Sequence, residues 1–145
     1  MPKEVFEAWI EPHLGANGFP LTAPTWNKFF CNLPIRYWAA LEWDLQQVEP
    51  RQDIFDRQTI LRIGWIIGNA AFGLNTPTAD IENTRKRFWA AAAFVRRNRR
   101  LPGLPIVGDL FSTKIRIVDG HHRLAALFHI GVPAGVNMAV WVGSI

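Results

Sequence analysis

Apolar and polar positions follow two different spacings along the chain after residue 40. Apolar and polar residues mix over Tyr37 to Val48, and a strand is predicted near Asp44 to Val48, followed by a loop at EPRQD. From about Asp56 to Ile67 the apolar residues recur at mainly helical offsets, which predicts a helix. A second helix is predicted over about Ile81 to Asn98, with Thr78 or Asp80 as its N-cap. The positions of this helix that we expect to face a core are Ile81, Phe88, Ala91, Ala92 and Val95.

The last third of the chain is typical of three strands and one helix. A short strand is predicted at Pro105 to Val107, and a turn at Asp109 to Thr113. KIRIVDG then alternates as a strand does, LAALF opens a helix that Gly131 ends, and VNMAVWV is a final strand. This order predicts an α/β (α+β) fold in which a mixed sheet is covered by packed helices.

One apolar run, Leu124 to Ile145, contains no Lys, Arg, Asp or Glu and is long enough to be weighed as a membrane span. The run is interrupted by His129, Gly131, Pro133, Gly135 and Asn137. We therefore expect a helix, a turn and a buried strand, and no membrane insertion.

The first forty residues are rich in Trp, Phe and Pro. They carry turn signals in GANGFP and LTAPTW, and Thr25 is predicted to cap a short helix that contains Trp26, Phe29 and Phe30. We expect residues 1–40 to form an extension packed on a core domain of residues 41–145. With 145 residues, the chain is long enough for a single domain with its own core.

Composition indicates a globular protein in a reducing compartment. Hydrophobic residues make up 49% of the chain and charged residues 19%, so burial can offset the entropy of ordering. Cys31 is the only cysteine, which excludes an internal disulfide and a cysteine-ligated zinc cluster. The first residues include three glutamates and no secretory signal pattern. We expect a cytoplasmic location.

Basic residues are concentrated in one interval of a chain whose net charge is +4. Seven of the sixteen are Arg85, Lys86, Arg87, Arg96, Arg97, Arg99 and Arg100. Such a patch indicates either a polyanionic partner or a solvated helix face. Trp89, among these arginines, either stacks on a base or joins the core, as large aromatic residues more often do.

The stretch VDGHHRLAAL puts polar residues where a strand is predicted to pass into a helix. Gly120 lies at the bend, and His121, His122 and Arg123 fall in the first helical turn. Backbone N–H groups there lack partners, and the helix dipole attracts anions. Gly120 permits close approach to a ligand, Arg123 offers a fork of donors, and the histidines can transfer protons. The pattern predicts a phosphate site.

Two other roles for this stretch are open. Asp119 can hold a histidine tautomer, coordinate Mg²⁺ or simply cap the helix, with the histidines then exposed and without a special role. Cations at a helix start are unfavourable by about 0.3–1 kcal/mol each unless an anion is present, which favours the phosphate site. Joint metal binding by His121 and His122 is disfavoured because adjacent helical residues diverge by about 100°, and the spacing does not add His13 or His129.

VDGHHRLAAL resembles the signature turn of the ParB/sulfiredoxin superfamily, in which a strand ends in Gly, a variable polar residue, His or Arg, and then Arg. The resemblance covers about residues 41–142, and LQQVEPRQDIFDRQTILRIGWII is similar to that family's opening strand, loop and helix. The DGHHR form and the Trp-rich extension are most similar to the plasmid fertility inhibition factors. A ParB/sulfiredoxin-like fold is implied.

The same resemblance implies an ATP-hydrolysing and DNA-cleaving protein (an ATPase and DNase) that blocks DNA transfer through a type IV secretion system during conjugation. Its implied ligands are ATP, or another nucleotide, and Mg²⁺. Its implied partners are DNA, bound through backbone phosphates with little sequence preference, and a secretion coupling component that holds it at the inner face of the membrane.

The resemblance also assigns candidate roles to residues. The positions from Gly120 to Arg123 match the family's phosphate-binding turn, and His121 or His122 is expected to shuttle a proton or position water. Asp119 or Glu49 is expected near the metal ion, since Glu49 follows the opening strand, where some relatives carry a functional acid. The residues expected to contact DNA are Arg85, Arg96, Arg97, Arg99 and Arg100.

The chain departs from two branches of the superfamily. Its turn contains no cysteine, so a sulfinic-acid reductase mechanism has no obvious nucleophile, and GHHR replaces the arginine-rich box of the partitioning proteins. Two alternatives to the hydrolase follow. One is a non-catalytic module that grips a protein through the aromatic N-terminal region. The other is a small-molecule kinase similar to the serine kinases of this superfamily.

Overall fold

Helices and strands are interspersed along the chain in a computed structural model that describes residues 1–14, 23–132 and 135–145. The helices are α1 (Lys3–Trp9), α2 (Ala23–Phe29), α3 (Ile35–Ala40), α4 (Arg57–Ala71), α5 (Ala79–Asn98) and α6 (His121–Ile130). The strands are β1 (Glu42–Val48), β2 (Ile106–Phe111), β3 (Lys114–Asp119) and β4 (Met138–Ser144). The predicted α/β class is confirmed.

The four strands form one mixed sheet in the order β1-β4-β2-β3. Strands β2 and β4 are parallel, and the other two pairings are antiparallel. This register brings the C-terminal ends of β1 and β3 to the same end of the sheet as the starts of β2 and β4. The candidate turn, which follows β3, therefore lies at this end.

Helices α4, α5 and α6 cover one face of the sheet. Their buried residues form one hydrophobic cluster with apolar side chains of β2, β3 and β4. All five α5 residues predicted to face a core are buried, because their offsets return to one side of the helix. Alanines at the centre of α5 and α6 belong to this cluster, and their small side chains allow the two helices to pack closely.

The N-terminal helices cover the opposite face of the sheet. Trp9 and Trp38 are completely buried there, with ring centroids 4.9 Å apart, and they belong to a cluster that includes Val107 of β2. Trp38 also donates its indole N–H to the carbonyl of Phe30 across 3.1 Å. Trp9 and Trp38 thus attach this segment to the sheet.

Several predicted boundaries hold and one turn is wrong. Thr78 caps α5 through its side chain, and Gly131 ends α6, as predicted. The turn predicted at Asp109 to Thr113 is wrong, since β2 continues to Phe111 and pairs with β3. Helix α2 begins at Ala23, so Thr25 lies within it and is not its N-cap. The turn signal GANGFP lies outside the described residues.

The apolar C-terminal run divides into α6 and β4, joined by a connection that is only partly described. Within the described residues, no helix has the length and apolar character needed to cross a bilayer.

Candidate functional site

The bend between β3 and α6 requires glycine. Gly120 has φ 104°, and a Cβ there would lie 2.8 Å from Ile106 Cγ1 and 3.2 Å from Arg123 Nη2. Helix α6 starts without a side-chain cap, whereas Asp56 and Thr78 cap α4 and α5. The N–H groups of the first turn of α6 are therefore not satisfied by a capping side chain.

Asp119 is not the helix cap that one sequence interpretation allowed. Its Oδ2 accepts a hydrogen bond from Arg123 Nη2 at 3.3 Å, and its Oδ1 lies 3.8 Å from His13 Nε2. Asp119 therefore joins the candidate turn to the N-terminal layer. The spacing of His13 gave no sign of this contact, because it depends on how that layer packs.

Arg123 already donates to protein oxygens. Its Nη1 donates to the carbonyl of Pro102 at 3.0 Å and also to the carbonyl of Leu104, in the connection between α5 and β2. With the bond to Asp119, most of its fork holds the turn and this connection together. The predicted fork for phosphate is thus largely engaged within the protein.

A cleft of about 440 Å³ opens beside the turn, and we call it the α5/α6 cleft. It is lined by Arg87, Ala90, Ala91, Phe94, Pro102, Asp119, Gly120, His122 and Arg123. Arg87, exposed on α5, has no hydrogen-bond or ion-pair partner among the residues that the structure describes. It is the cation whose donors remain available to a ligand. In the sequence, Arg87 is one of seven basic residues close together, and nothing there distinguishes it from the others.

The two histidines occupy different surroundings. His122 lines the cleft, and burial lowers its pKa to about 4, with the charges of Arg87 and Arg62 acting in the same direction. His121 is not among the lining residues and interacts with the backbone of Ile117. Burial, followed by the charge of Arg62, lowers the pKa of His121 to about 4 as well. Both rings are neutral at pH 7, and His122 is the one presented to a ligand.

Glu49 is not brought to this cleft. It is exposed and follows β1, and β4 and β2 lie between β1 and β3. Strand spacing alone separates these edge strands by about 14 Å. Among the described residues that line the cleft, Asp119 is the one acid. In the described part of the chain, no group of three or more His, Cys, Asp or Glu side chains is arranged to hold a metal ion.

The five arginines predicted to contact DNA have different neighbours in the structure. Arg85 donates to the carbonyl of Asn69 and pairs with Glu82. Arg96 and Arg99 line a groove at the C-terminal end of α6. Arg97 lines a shallow groove with Ala90, Ala93, Phe94 and Asn98, and Arg100 lies 5.1 Å from the centre of the Phe94 ring.

A second polar cluster lies on the other face of the sheet, and it was not predicted from the sequence. Asp109 is fully buried and accepts hydrogen bonds from Arg116 Nε at 2.9 Å, Arg116 Nη2 at 2.7 Å and the Tyr37 hydroxyl at 2.7 Å. Burial, then the bond to Asp109, raises the pKa of Tyr37 to about 12. Because Tyr37 belongs to α3, this cluster fastens the N-terminal layer to the sheet.

Comparisons of the chain with protein-family models, with curated proteins and with solved structures each found no match. The mixed α/β fold thus stands on the structure alone, and the ParB/sulfiredoxin assignment stays a prediction from the DGHHR turn.

Proposed function

We propose that the protein binds the phosphates of a nucleotide such as ATP in the α5/α6 cleft and hydrolyses the terminal phosphate. The observation that carries this proposal is that the uncapped first turn of α6, the Arg87 guanidinium and the neutral His122 ring meet in one cleft. The first two favour an anion. The third accepts a hydrogen bond from water at neutral pH.

Each group then has a distinct role. Arg87 and the N–H groups of the first α6 turn hold phosphate oxygens and offset their charge. His122 orients a water molecule towards the terminal phosphorus. As the bond between that phosphorus and the bridging oxygen breaks, the water forms the new P–O bond and its proton passes through the ring to a phosphate oxygen. Arg123 and Asp119 keep the turn and the neighbouring connection in place.

The cleft fits a magnesium ion that arrives with the nucleotide. Mg²⁺ usually keeps several waters and takes one or two carboxylates together with substrate phosphates, whose charge it neutralises. Asp119 is the carboxylate available for this, and it already faces Arg123 and His13. A single, partly neutralised carboxylate does not fit a resident metal held by the protein alone.

DNA cleavage at the same cleft is a second candidate. The groove that contains Arg97 shares Ala90 and Phe94 with the cleft, so the two adjoin along α5. If a DNA strand binds there through its phosphates, its affinity should fall as the salt concentration increases. Interference with type IV secretion, the role that the DGHHR resemblance implies, belongs to this candidate.

The test is phosphate release from ATP with Mg²⁺, measured for the native protein and for Arg87→Ala and His122→Asn. We expect each variant to lose at least tenfold in rate, since positioned charges and proton-transfer groups contribute factors of this order or more. Lys86→Ala removes a neighbouring exposed cation and is the matched control. A folded native protein that releases no phosphate would refute the proposed hydrolysis.

The same preparations separate the alternatives. Nicking of plasmid DNA that depends on Arg87 and Arg97 would support the second candidate, and turnover that requires an added amino acid would indicate a kinase. Trp9 and Trp38 are completely buried, so a partner gripped by the N-terminal aromatics would have to use more exposed ones, such as Phe6.

A further inference from the structure

Helix α4 carries apolar side chains on two opposite sides. Its inward side includes Ile63, Ile66 and Ala70, all buried in the core. Its outward side carries Leu61 and Trp65 and continues to Phe72, the residue after its end, with offsets of four and seven that return to one face. The outer face of a surface helix normally carries polar and charged residues, so this face requires a separate explanation.

The outward residues continue into neighbouring apolar side chains. Leu74 lies over Gly68, where a Cβ would meet its Cδ1 at 2.6 Å. Trp89 of α5 is anchored by its indole N–H, which donates to the carbonyl of Ala70 across 3.2 Å. The His129 ring contacts both Phe72 and Trp89, with centroid distances of 6.0 and 5.9 Å. We call the continuous surface of Leu61, Trp65, Phe72, Leu74 and Trp89 the α4 strip.

The α4 strip is strongly exposed. Leu61, Phe72 and Leu74 are 60%, 68% and 72% exposed, and Trp65 and Trp89 are 39% and 40% exposed. Single exposed apolar residues are common, but five large ones on one contiguous surface mark an interaction site. From Leu61 to Phe72 the strip follows about 17 Å of helix, which matches roughly three turns of a second helix.

The edge of the strip is basic. The Arg62 guanidinium lies 4.8 Å from the centre of the Trp65 ring, and Arg57 is the other charged residue of α4. Arg85 of α5 donates to the carbonyl of Asn69 and pairs with Glu82, so its charge is already partly offset. Two copies of this surface would therefore bring arginines against arginines, which disfavours self-association.

Gly64 of α4 lies beside the strip and leaves open space there. It is exposed within α4, and a Cβ there would meet nothing within 4 Å. A glycine inside a helix costs about 1 kcal/mol relative to alanine. Because the protein's own packing does not require this glycine, the open position suits close approach by another backbone.

We propose that the α4 strip is the docking surface for an acidic amphipathic helix of a partner protein. The partner places apolar side chains against Trp65 and Phe72 and its carboxylates near Arg57 and Arg62. The aliphatic residues Leu61 and Leu74 have no use in binding a nucleic acid backbone. The five residues of the strip do not line the α5/α6 cleft, although Arg62 at the edge of the strip acts electrostatically on His122.

The test uses a labelled 18-residue helical peptide with leucines at helical spacing and glutamates on both flanks, and a second peptide with lysine at each glutamate. Binding is followed by fluorescence anisotropy. We expect the acidic peptide to bind at least tenfold more tightly than the lysine peptide. Leu61→Ser and Trp65→Ser should each weaken it about tenfold, while Ile35→Ser, which alters a residue 61% exposed on the N-terminal layer, should leave it unchanged.

Thermal unfolding of each variant confirms that it is folded. Equal affinity for both peptides, or equal effects of Leu61→Ser and Ile35→Ser, would overturn the proposal. Sedimentation that shows a dimer abolished by Leu61→Ser would assign the strip to a second copy of the chain. Binding to phosphatidylglycerol vesicles abolished by Trp65→Ser, without binding of the acidic peptide, would assign it to a lipid surface.

Discussion

The Arg123 guanidinium lies 3.3 Å from the Asp119 carboxylate, across the left-handed bend at Gly120. The same side chain donates to the carbonyls of Pro102 and Leu104. It therefore joins the end of β3, the first turn of α6 and the connection that precedes β2. In this arrangement Arg123 shapes the cleft, and Arg87 supplies the free donors.

This division of roles predicts that two arginine substitutions change the free energy of unfolding by very different amounts. Arg123→Ala should lower the free energy of unfolding by about 2–3 kcal/mol, because it leaves partly buried polar groups without their charged donor. Arg87→Ala should change it by less than about 0.5 kcal/mol, as exposed substitutions generally do. Urea denaturation measures both. Arg123→Lys should restore little, since lysine lacks the planar fork; equal stability of all three variants would contradict this assignment.

The buried pair of Asp109 and Arg116 predicts a coupled loss of stability. Asp109→Ala should cost about 3–5 kcal/mol because it leaves the Arg116 charge in a largely buried site without its partner. Asp109→Leu combined with Arg116→Met should cost less than the two single changes together, since an apolar pair needs no compensation. Urea denaturation of the two singles and the double provides the cycle. Strict additivity would show that the pair does not interact in solution.

That pair also explains where sequence reasoning failed. GDLFSTK contains Gly, Asp, Ser and Thr, which favour turns, and the turn was predicted to begin at Asp109. In the structure Asp109 lies directly opposite Arg116 in the β2–β3 ladder, and their bond keeps Asp109 in the strand. A partner seven residues away across a hairpin becomes visible only when the register is known.

The parts that could be predicted are those that depend on local pattern. The apolar spacing of α5, its Thr78 cap and the Gly120 bend all follow from contacts within a few residues. The membership of the cleft depends instead on how α5 crosses α6, which brings Arg87 to His122. The concentration of basic residues in one interval predicts a patch, but successive helical residues diverge by about 100°, so the α5 arginines have different neighbours.

Two glycines should respond to alanine in opposite directions. Gly64→Ala should raise the free energy of unfolding by about 0.5–1 kcal/mol, since α4 offers open space and alanine favours helix. Gly120→Ala should lower it by about 1–3 kcal/mol, because φ is 104° and the new Cβ would overlap Ile106. Thermal or urea unfolding of the two variants measures both signs. A destabilised Gly64→Ala would indicate a different conformation of α4.

The depressed pKa values of His121 and His122 predict a loss of stability on acidification. In the unfolded chain both histidines bind protons near pH 6.5, whereas in the folded protein they do so only near pH 4. The unfolded state therefore binds more protons between these values, and stability falls as pH decreases through this window. A shift of this size limits the loss to roughly 3 kcal/mol per histidine. Urea midpoints between pH 4 and 8 measure it.

The control for this prediction is His121→Gln combined with His122→Gln, which removes both titrating rings and keeps hydrogen-bonding capacity. This double variant should show a flatter pH dependence between 6.5 and 4 than the native protein, whereas His122→Gln alone should remove about half of the difference. Bound phosphate should reduce the contribution of His122, because an anion in the cleft stabilises its protonated ring. An unchanged slope in the double variant would show that other groups cause the acid sensitivity.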